Sequence, residues 1–365
     1  VTTDVLVVGG GAGGLAAAVR AATQGAHVIL IEKRPNIGGA TQLNAGTLVA
    51  TGSRYQREVM KETKDSPELL AKDIFRAGEN KNDPVLVKMV GEKAGGVVDW
   101  LIYDLKIPYG PAATQYPDHS ANRQLGVTGR SVNWLKLMSQ KLNENGGKIM
   151  TDTRAQEFIR DKAGNVVGVK ATMTNGQKID FSAKSVVLAS GGYGANRAML
   201  PKKVTSYLFY GLDSETGDGL AMGKKIGAGT INLDLVKQYP QGVETLPHHA
   251  LAATASSTDT MKKSGAIYVN RDGKRIVDEL AGLGTLTKIT EAQKDSIMYI
   301  VMDKAAWKQY VAKSLEDKLV AAPSDLDKWA KIVNNGYPVM ATSAKLADAA
   351  KTMGINAKGL QATID

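Results

Sequence analysis

The sequence predicts an α/β protein of two domains, a parallel sheet with an inserted β-meander followed by an α+β domain. Three observations carry this. A short apolar run, a glycine cluster and an alanine-rich helical stretch follow one another in the first 25 residues. An alternating segment over 154–181 is punctuated by Ala163-Gly164-Asn165 and Asn175-Gly176, the signature of two hairpins. From about residue 235, short strand-like pieces mix with lysine-rich helical stretches.

The elements follow in order. Val5–Val8 is β-branched and apolar and reads as a buried strand. Gly9-Gly10-Gly11-Ala12-Gly13-Gly14 makes a turn, Leu15–Ala22 a helix that Gly25 breaks, and Val28–Ile31 a second strand closed by Glu32. This is a right-handed βαβ unit. Residues 34–56, rich in Gly, Asn and Thr, read as loop. Two helices are expected over 66–104, with Pro67 and Pro84 near their starts, and a third over 131–144. After the meander, Ser185–Ala189 reads as a separate buried strand, and Gly217-Asp218-Gly219 opens a helix to about Ile226. Ala266–Asn270 and Ile297–Met302 read as strands of the second domain. The division is expected at 238/239, giving domains 1–238 and 239–365.

Composition narrows the function. With 365 residues, 43% hydrophobic and 22% charged, the chain reads as an ordinary globular protein. It has no cysteine, which excludes disulfides, thiolate metal sites and cysteine nucleophiles, and its four histidines argue against a His-rich metal centre. The net charge of +10 favours acidic small molecules or anionic surfaces. Its cations are spread without an Arg-rich tract, so no nucleic-acid partner is expected, and no apolar run is long enough to span a membrane. The chain opens on Val1, which suggests processing upstream.

Gly9-x-Gly11-x-x-Gly14 sits between strand and helix, and Glu32 stands 23 residues after Gly9. That is the full dinucleotide fingerprint of a Rossmann-type unit. Gly9 permits the tight turn, Gly11 lets backbone approach a pyrophosphate, and Gly14 lets helix pack on strand. The helix N-terminus offers free N–H groups and the positive end of its dipole. Glu32 is placed to accept from a ribose hydroxyl.

Beyond Glu32, Lys33-Arg34-Pro35-Asn36-Ile37-Gly38-Gly39-Ala40-Thr41 runs into Asn44-Ala45-Gly46-Thr47. With Asp65-Ser66-Pro67, Asn82-Asp83-Pro84, Val98-Asp99-Trp100, Thr153-Arg154-Ala155, Leu188-Ala189-Ser190-Gly191-Gly192, Thr216-Gly217-Asp218-Gly219 and the segment Gly265–Arg275, these residues resemble, in order, the flavoprotein family of fumarate reductases and succinate dehydrogenases. The likeness is strongest to soluble fumarate and urocanate reductases and flavocytochromes c. It implies a Rossmann-type FAD-binding domain with a capping domain and FAD as cofactor. Gly9, Gly11, Gly13 and Gly14 would cradle the pyrophosphate, with Glu32 and Lys33 flanking the adenosine ribose. Gly39, Ala40, Thr41, Ala45 and Gly46 would lie on the flavin side, and the Ala155 backbone would meet adenine. Ser190 and Gly191 would approach the cofactor, and Asp218 the ribityl or pyrophosphate.

The resemblance also implies reduction of the C=C bond of a small anionic α,β-unsaturated substrate, fumarate-, urocanate- or cinnamate-like, by hydride from flavin N5. The family's substrate-binding His falls on Tyr239, its proton-relay Glu on Asp259, and the partner Arg on Lys262. Its proton-donating Arg falls on Leu283, and no Arg follows Arg275. Tyr239 is therefore expected as the acid, with Lys262 beside it and Asp259 as relay. Arg130, Arg275, Lys288, His248 and His249 are secondary candidates, read first as turn or solvated-loop residues. No metal ligand is expected. The family's C-terminal return segment is not represented before Asp365, so the flavin pocket is expected to be open on one side. A haem or FMN electron-donor domain or protein is the implied partner, and a periplasmic or extracytoplasmic location the implied setting. The alternatives are a flavin-dependent C–C dehydrogenase using Tyr239 as base, or a flavin-binding fragment without catalysis.

Overall fold

A computed structural model describes residues 1–112, 119–240, 242–247, 249–251, 264–316 and 320–365. The chain forms two compact units, the first of Val1–Met199 and Gly211–Ile231, the second of Leu200–Tyr210 and Asn232–Asp365. The division thus falls seven residues before 238/239, and 200–210 joins the second unit. The reason is local: Phe209 C=O accepts the Ala250 N–H at 2.9 Å, and the Tyr210 ring packs on Tyr239.

The first unit opens with β1 (Thr2–Val8), α1 (Ala12–Thr23) and β2 (Val28–Ile31). Next come β3 (Thr47–Val49), α2 (Arg54–Glu58), α3 (Pro67–Ala77), α4 (Pro84–Asp99), β4 (Tyr109–Pro111), β5 (Gln124–Val127) and α5 (Arg130–Glu144). It closes with β6 (Lys148–Met150), β7 (Thr153–Arg160), β8 (Val166–Met173), β9 (Lys178–Leu188) and α6 (Asp218–Lys225). The main sheet has the order β6-β2-β1-β9-β8-β7. Strands β6, β2, β1 and β9 run parallel, and β9, β8 and β7 antiparallel.

Both faces of β1 and β2 are covered, which is why their sequence is continuously apolar. Val7, Val28 and Leu30 face α1 and α5, packing on Leu15, Val19, Trp134, Met138 and Leu142. Leu6, Val8, Ile29 and Ile31 face the other way, onto Val169, Phe181 and Met222. In α1, Leu15, Ala18, Val19 and Ala22 recur at helical spacing and all are buried. Ser66 and Asp83 accept backbone N–H groups at the starts of α3 and α4, each followed by proline at the first helical position.

Two expectations are corrected. Ser185–Ala189 is not a separate buried strand. It is the far half of the 11-residue β9, which pairs antiparallel with β8 up to Ser182 and parallel with β1 from there on. No turn residue interrupts Phe181–Ser185, so the meander runs straight into the parallel sheet. Nor is 34–56 all loop. It contains a 3₁₀ turn (Gly39–Leu43), β3 and α2, and β3 joins β5 and β4 in a three-stranded sheet.

The second unit contains the antiparallel pairs β10 (Val243–Leu246) with β11 (His249–Leu251) and, across 267–301, β12 (Ile267–Val269) with β13 (Tyr299–Val301). Helix α7 (Leu283–Glu291) lies between β12 and β13, and α8 (Lys304–Glu316) and α9 (Pro323–Asp327) follow. The short pair β14 (Val333–Asn334) with β15 (Tyr337–Pro338), then α10 (Leu346–Met353) and α11 (Ala357–Ile364), complete it. Its cores form around Tyr310, Leu326 and Trp329, and around Val269, Tyr299 and Leu360.

Candidate functional site: a phosphate cradle and an exposed tyrosine

The glycine turn divides by function. A Cβ on Gly9 would lie 2.3 Å from the Ala189 carbonyl oxygen, and one on Gly14 would lie 1.9 Å from the Gly9 oxygen. These two glycines close the βα joint. A Cβ on Gly13 would meet nothing within 4 Å, and one on Gly11 nothing nearer than 3.7 Å. That side is open space in front of the N-terminus of α1, whose first turn carries no acidic residue and no side-chain cap from Gly11. An anion with several acceptor oxygens fits such a cradle.

The remaining predicted residues fall around it. The Thr41 hydroxyl oxygen accepts the Ala12 N–H at 2.9 Å, joining the start of α1 to the 38–46 loop. Gly38 and Gly39 bend that loop with φ of 128° and 47°, and Ala40 and Ala45 are exposed on it. Gly46, at φ 81°, packs against the backbone of Arg130 and Ser131. Asn44 ties this turn twice: its Oδ1 accepts the Gly46 N–H at 2.6 Å and its C=O accepts the Ser131 hydroxyl at 2.5 Å. Arg130 is exposed in a left-handed backbone conformation beside Gly46. Ser190 packs on Gly219 at the start of α6, and Gly191 follows at φ 78°. Ala155 is buried on β7 opposite Ala171.

Glu32 is 7% exposed, and its two oxygens take the N–H groups of Gly10 (2.8 Å) and Arg34 (2.9 Å). Each retains a lone pair for a further donor. Asp218 is held by Lys33 (3.0 Å), by the Thr216 hydroxyl (2.8 Å), and by Arg154 through both oxygens (2.8 and 3.0 Å). Burial alone would raise its pKa, but the hydrogen bonds from Arg154, Thr216 and Lys33 prevail and hold it at about 2. Asp218 is therefore paired with two cations, which leaves the cluster net positive. Arg154 and Thr216, which complete this clamp, are not singled out by sequence reasoning, although both flank residues that are.

A second set was also missed. Arg123 is fully buried and pairs with Asp65 (2.6 Å) and Asp73 (2.5 Å). Thr51 and Gln56 donate to Asp65 at 2.7 Å each, and Ser120 donates to Asp73. Burial would raise both carboxyl pKa values, but these donors hold them below the usual range. The network anchors β3, which begins directly after Gly46, to β5 and α3.

In the second unit Tyr239 is 40% exposed. Tyr210 meets its ring edge-on, with centroids 5.4 Å apart at 79°, and the Lys237 ammonium lies 5.0 Å from the Tyr239 centroid. Asp259, Lys262 and His248 lie outside the described residues. His249 stacks edge-on with Phe209. Leu283 opens α7 and is 44% exposed. Glu279 is buried, held by the Arg275 guanidinium and the Tyr268 N–H, so Arg275 serves as a partner to that carboxylate. Among the described residues no cluster of His, Asp and Glu could hold a metal ion, and no helix is long and apolar enough to cross a membrane.

A βαβ unit with an open glycine cradle and a buried acid just past its second strand has the form of a dinucleotide-binding fold. The match to the FAD binding domain model over residues 4–365 places the chain in that family, whose cofactor is FAD. The chain is 30% identical over 370 residues to a urocanate reductase of Eggerthella lenta, covering 99% of this chain and 58% of that protein. It is 29% identical over 372 residues to a fumarate reductase (cytochrome) of Shewanella frigidimarina, covering 100% and 60%. The chain thus spans about three-fifths of these relatives' length. An open conformation of a flavocytochrome c3 fumarate reductase superposes with a TM-score of 0.78 at 26% identity, over 100% of this chain and 60% of that one.

Proposed function

We propose that the chain is the flavin-binding and substrate-capping part of an oxidoreductase that reduces the C=C bond of a small, anionic, α,β-unsaturated acid. The observation that carries this is the cradle: the open side of Gly11 and Gly13 at a helix start whose first turn holds no acidic residue, in a chain similar to urocanate and fumarate reductases. Bound FAD supplies hydride from its flavin ring. The chain's own residues do the rest. The start of α1 holds the pyrophosphate, Glu32 accepts from ribose, and the Asn44–Ser131 tie fixes the flavin-side loop. The Tyr239 hydroxyl delivers a proton to the substrate Cα as hydride reaches Cβ, with Asp259 and Lys262 as its relay. With Leu283 where the resemblance places a cation, Tyr239 takes that cation's place as proton donor. A haem or FMN protein is the proposed electron donor, and an extracytoplasmic setting goes with it.

The test is turnover of FAD-loaded protein with reduced methyl viologen and cinnamate, urocanate or fumarate, run also in reverse with the saturated acids and an electron acceptor. Reduction of at least one enoic acid is expected. Turnover only of saturated acids would make it a dehydrogenase, and bound flavin with no turnover in either direction a non-catalytic module.

A further inference from the structure

An open α/β sheet takes its ligand in the crevice beyond the carboxyl ends of its strands. Around Lys33, just past the end of β2, the carboxylates of Glu32, Asp213 and Asp218 each have donors. Glu32 takes two backbone N–H groups, Asp218 pairs with Lys33 and Arg154, and Asp213 accepts from Arg34 at 3.2 Å. Glu215 is half-buried, and among the described residues nothing donates to its carboxylate. Burial pushes its pKa above the ordinary glutamate value, against the pull of the Lys33 ammonium.

The backbone nonetheless holds Glu215 in a fixed place. Its N–H donates to the Leu212 C=O and its C=O accepts the Ala195 N–H, both at 3.0 Å. The Gly217 N–H donates to the Gly192 C=O at 3.0 Å, and the Asn196 side-chain amide to the Thr216 C=O at 3.1 Å. These bonds stitch 212–217 to the loop that follows β9. A half-buried acceptor kept in place without a donor is costly in the protein alone, and a ligand that brings the donor removes the cost. On its adenosine side FAD carries two kinds of donor, the ribose hydroxyls and the N6 amine of adenine. Glu32 is read above as the ribose acceptor. The Asp218 clamp marks the adenine end, because Arg154 precedes Ala155, whose backbone the resemblance sets against adenine. Lys33 ties Thr216, the neighbour of Glu215, into that clamp at 3.0 Å. Residue 215 lies just outside the Thr216–Gly219 motif, so the resemblance gives it no role.

We propose that the Glu215 carboxylate accepts a hydrogen bond from the N6 amine of the FAD adenine and selects for a base that carries an amine there. This rests on FAD as the cofactor and not on which substrate is reduced.

Calorimetric titration of the apoprotein with FAD, and with its hypoxanthine analogue (a carbonyl in place of the N6 amine), tests this. Wild type should bind FAD about ten- to a hundredfold more tightly than the analogue. Glu215→Leu should reduce that preference about tenfold or more, with Glu215→Gln, which keeps a neutral acceptor, in between. The apoprotein Tm of Glu215→Leu should be no lower than that of wild type, since no hydrogen bond to the carboxylate is lost. An equal loss of affinity for both dinucleotides in Glu215→Leu, or no loss for either, would overturn the proposal. So would a Tm several degrees below wild type, which would give the carboxylate a structural task instead. Failure of wild type to bind FAD at all would overturn the reading of the cradle, and this proposal with it.

Discussion

Two alanine substitutions one turn apart should separate cofactor binding from folding. Gly11 has φ −78° and ψ −175°, extended backbone open to any residue, and its added Cβ would meet nothing nearer than 3.7 Å. Gly11→Ala should therefore change the stability of the apoprotein by no more than about 1 kcal/mol. The same methyl group points into the space a pyrophosphate must approach. Losing one charge-assisted N–H contact costs about 1.5–3 kcal/mol, so FAD affinity should fall roughly tenfold to more than a hundredfold. Gly14→Ala is the reverse case. Its Cβ would sit 1.9 Å from the Gly9 oxygen and 3.1 Å from the Gly9 carbonyl carbon, both backbone. Helix and strand must separate, at about 1–3 kcal/mol or more. At about 2–4 °C per kcal/mol for a domain of 150–250 residues, Tm should drop several degrees even without cofactor. Calorimetric FAD titration and thermal melts of both apoproteins read the two effects. Wild-type FAD affinity in Gly11→Ala, or a Tm loss in Gly11→Ala as large as in Gly14→Ala, would refute the division of the motif into a binding side and a packing side.

Other substitutions test the supporting structure. Asp218→Asn should destabilise the protein at neutral pH by about 1–2 kcal/mol, a value discounted for screening at the half-exposed Arg154. Because the folded pKa of about 2 lies below the ordinary aspartate value of 3.8, this stability is present above pH 4 and lost as pH falls toward 2, so mutant and wild-type urea curves should converge in acid. Arg123→Met strands two buried carboxylates and should cost about 3–5 kcal/mol in urea unfolding, whereas a loss under about 1 kcal/mol would mean the network contributes little. Tyr239→Phe should lower the rate of enoate reduction by about 10²-fold or more while FAD affinity stays at the wild-type value, and an unchanged rate would remove Tyr239 from the proton path.

What the sequence reveals depends on how local the cause is. The order β1, glycine turn, α1, β2 is legible because Val5–Val8, Gly9–Gly14 and Leu15–Ala22 each carry their own signal. The caps Ser66 and Asp83 are likewise written beside the helices they start. The three-residue β3 has no room for periodicity, and it exists because β5, more than 70 residues away, pairs with it. Arg123, Asp65 and Asp73 look like surface charges one by one, and only the fold buries them together. The same holds for Asp218. The resemblance sets it beside the ribityl or pyrophosphate, and nothing near residue 218 says that Arg154 and Lys33 will arrive from two other strand ends to pair with it. Tyr210 escapes notice because nothing near residue 210 says that it will stand on Tyr239.

The central claim is that this chain holds a flavin that reduces an activated double bond, and one single-turnover experiment bears on it most directly. The FAD-loaded protein is photoreduced without oxygen, then mixed with cinnamate while the oxidised flavin band is followed. The account predicts that the band returns at a rate that rises with cinnamate concentration, with one equivalent of the saturated acid formed per flavin. A flavin that stays reduced in cinnamate, urocanate and fumarate alike, yet reoxidises at once in air, would contradict it.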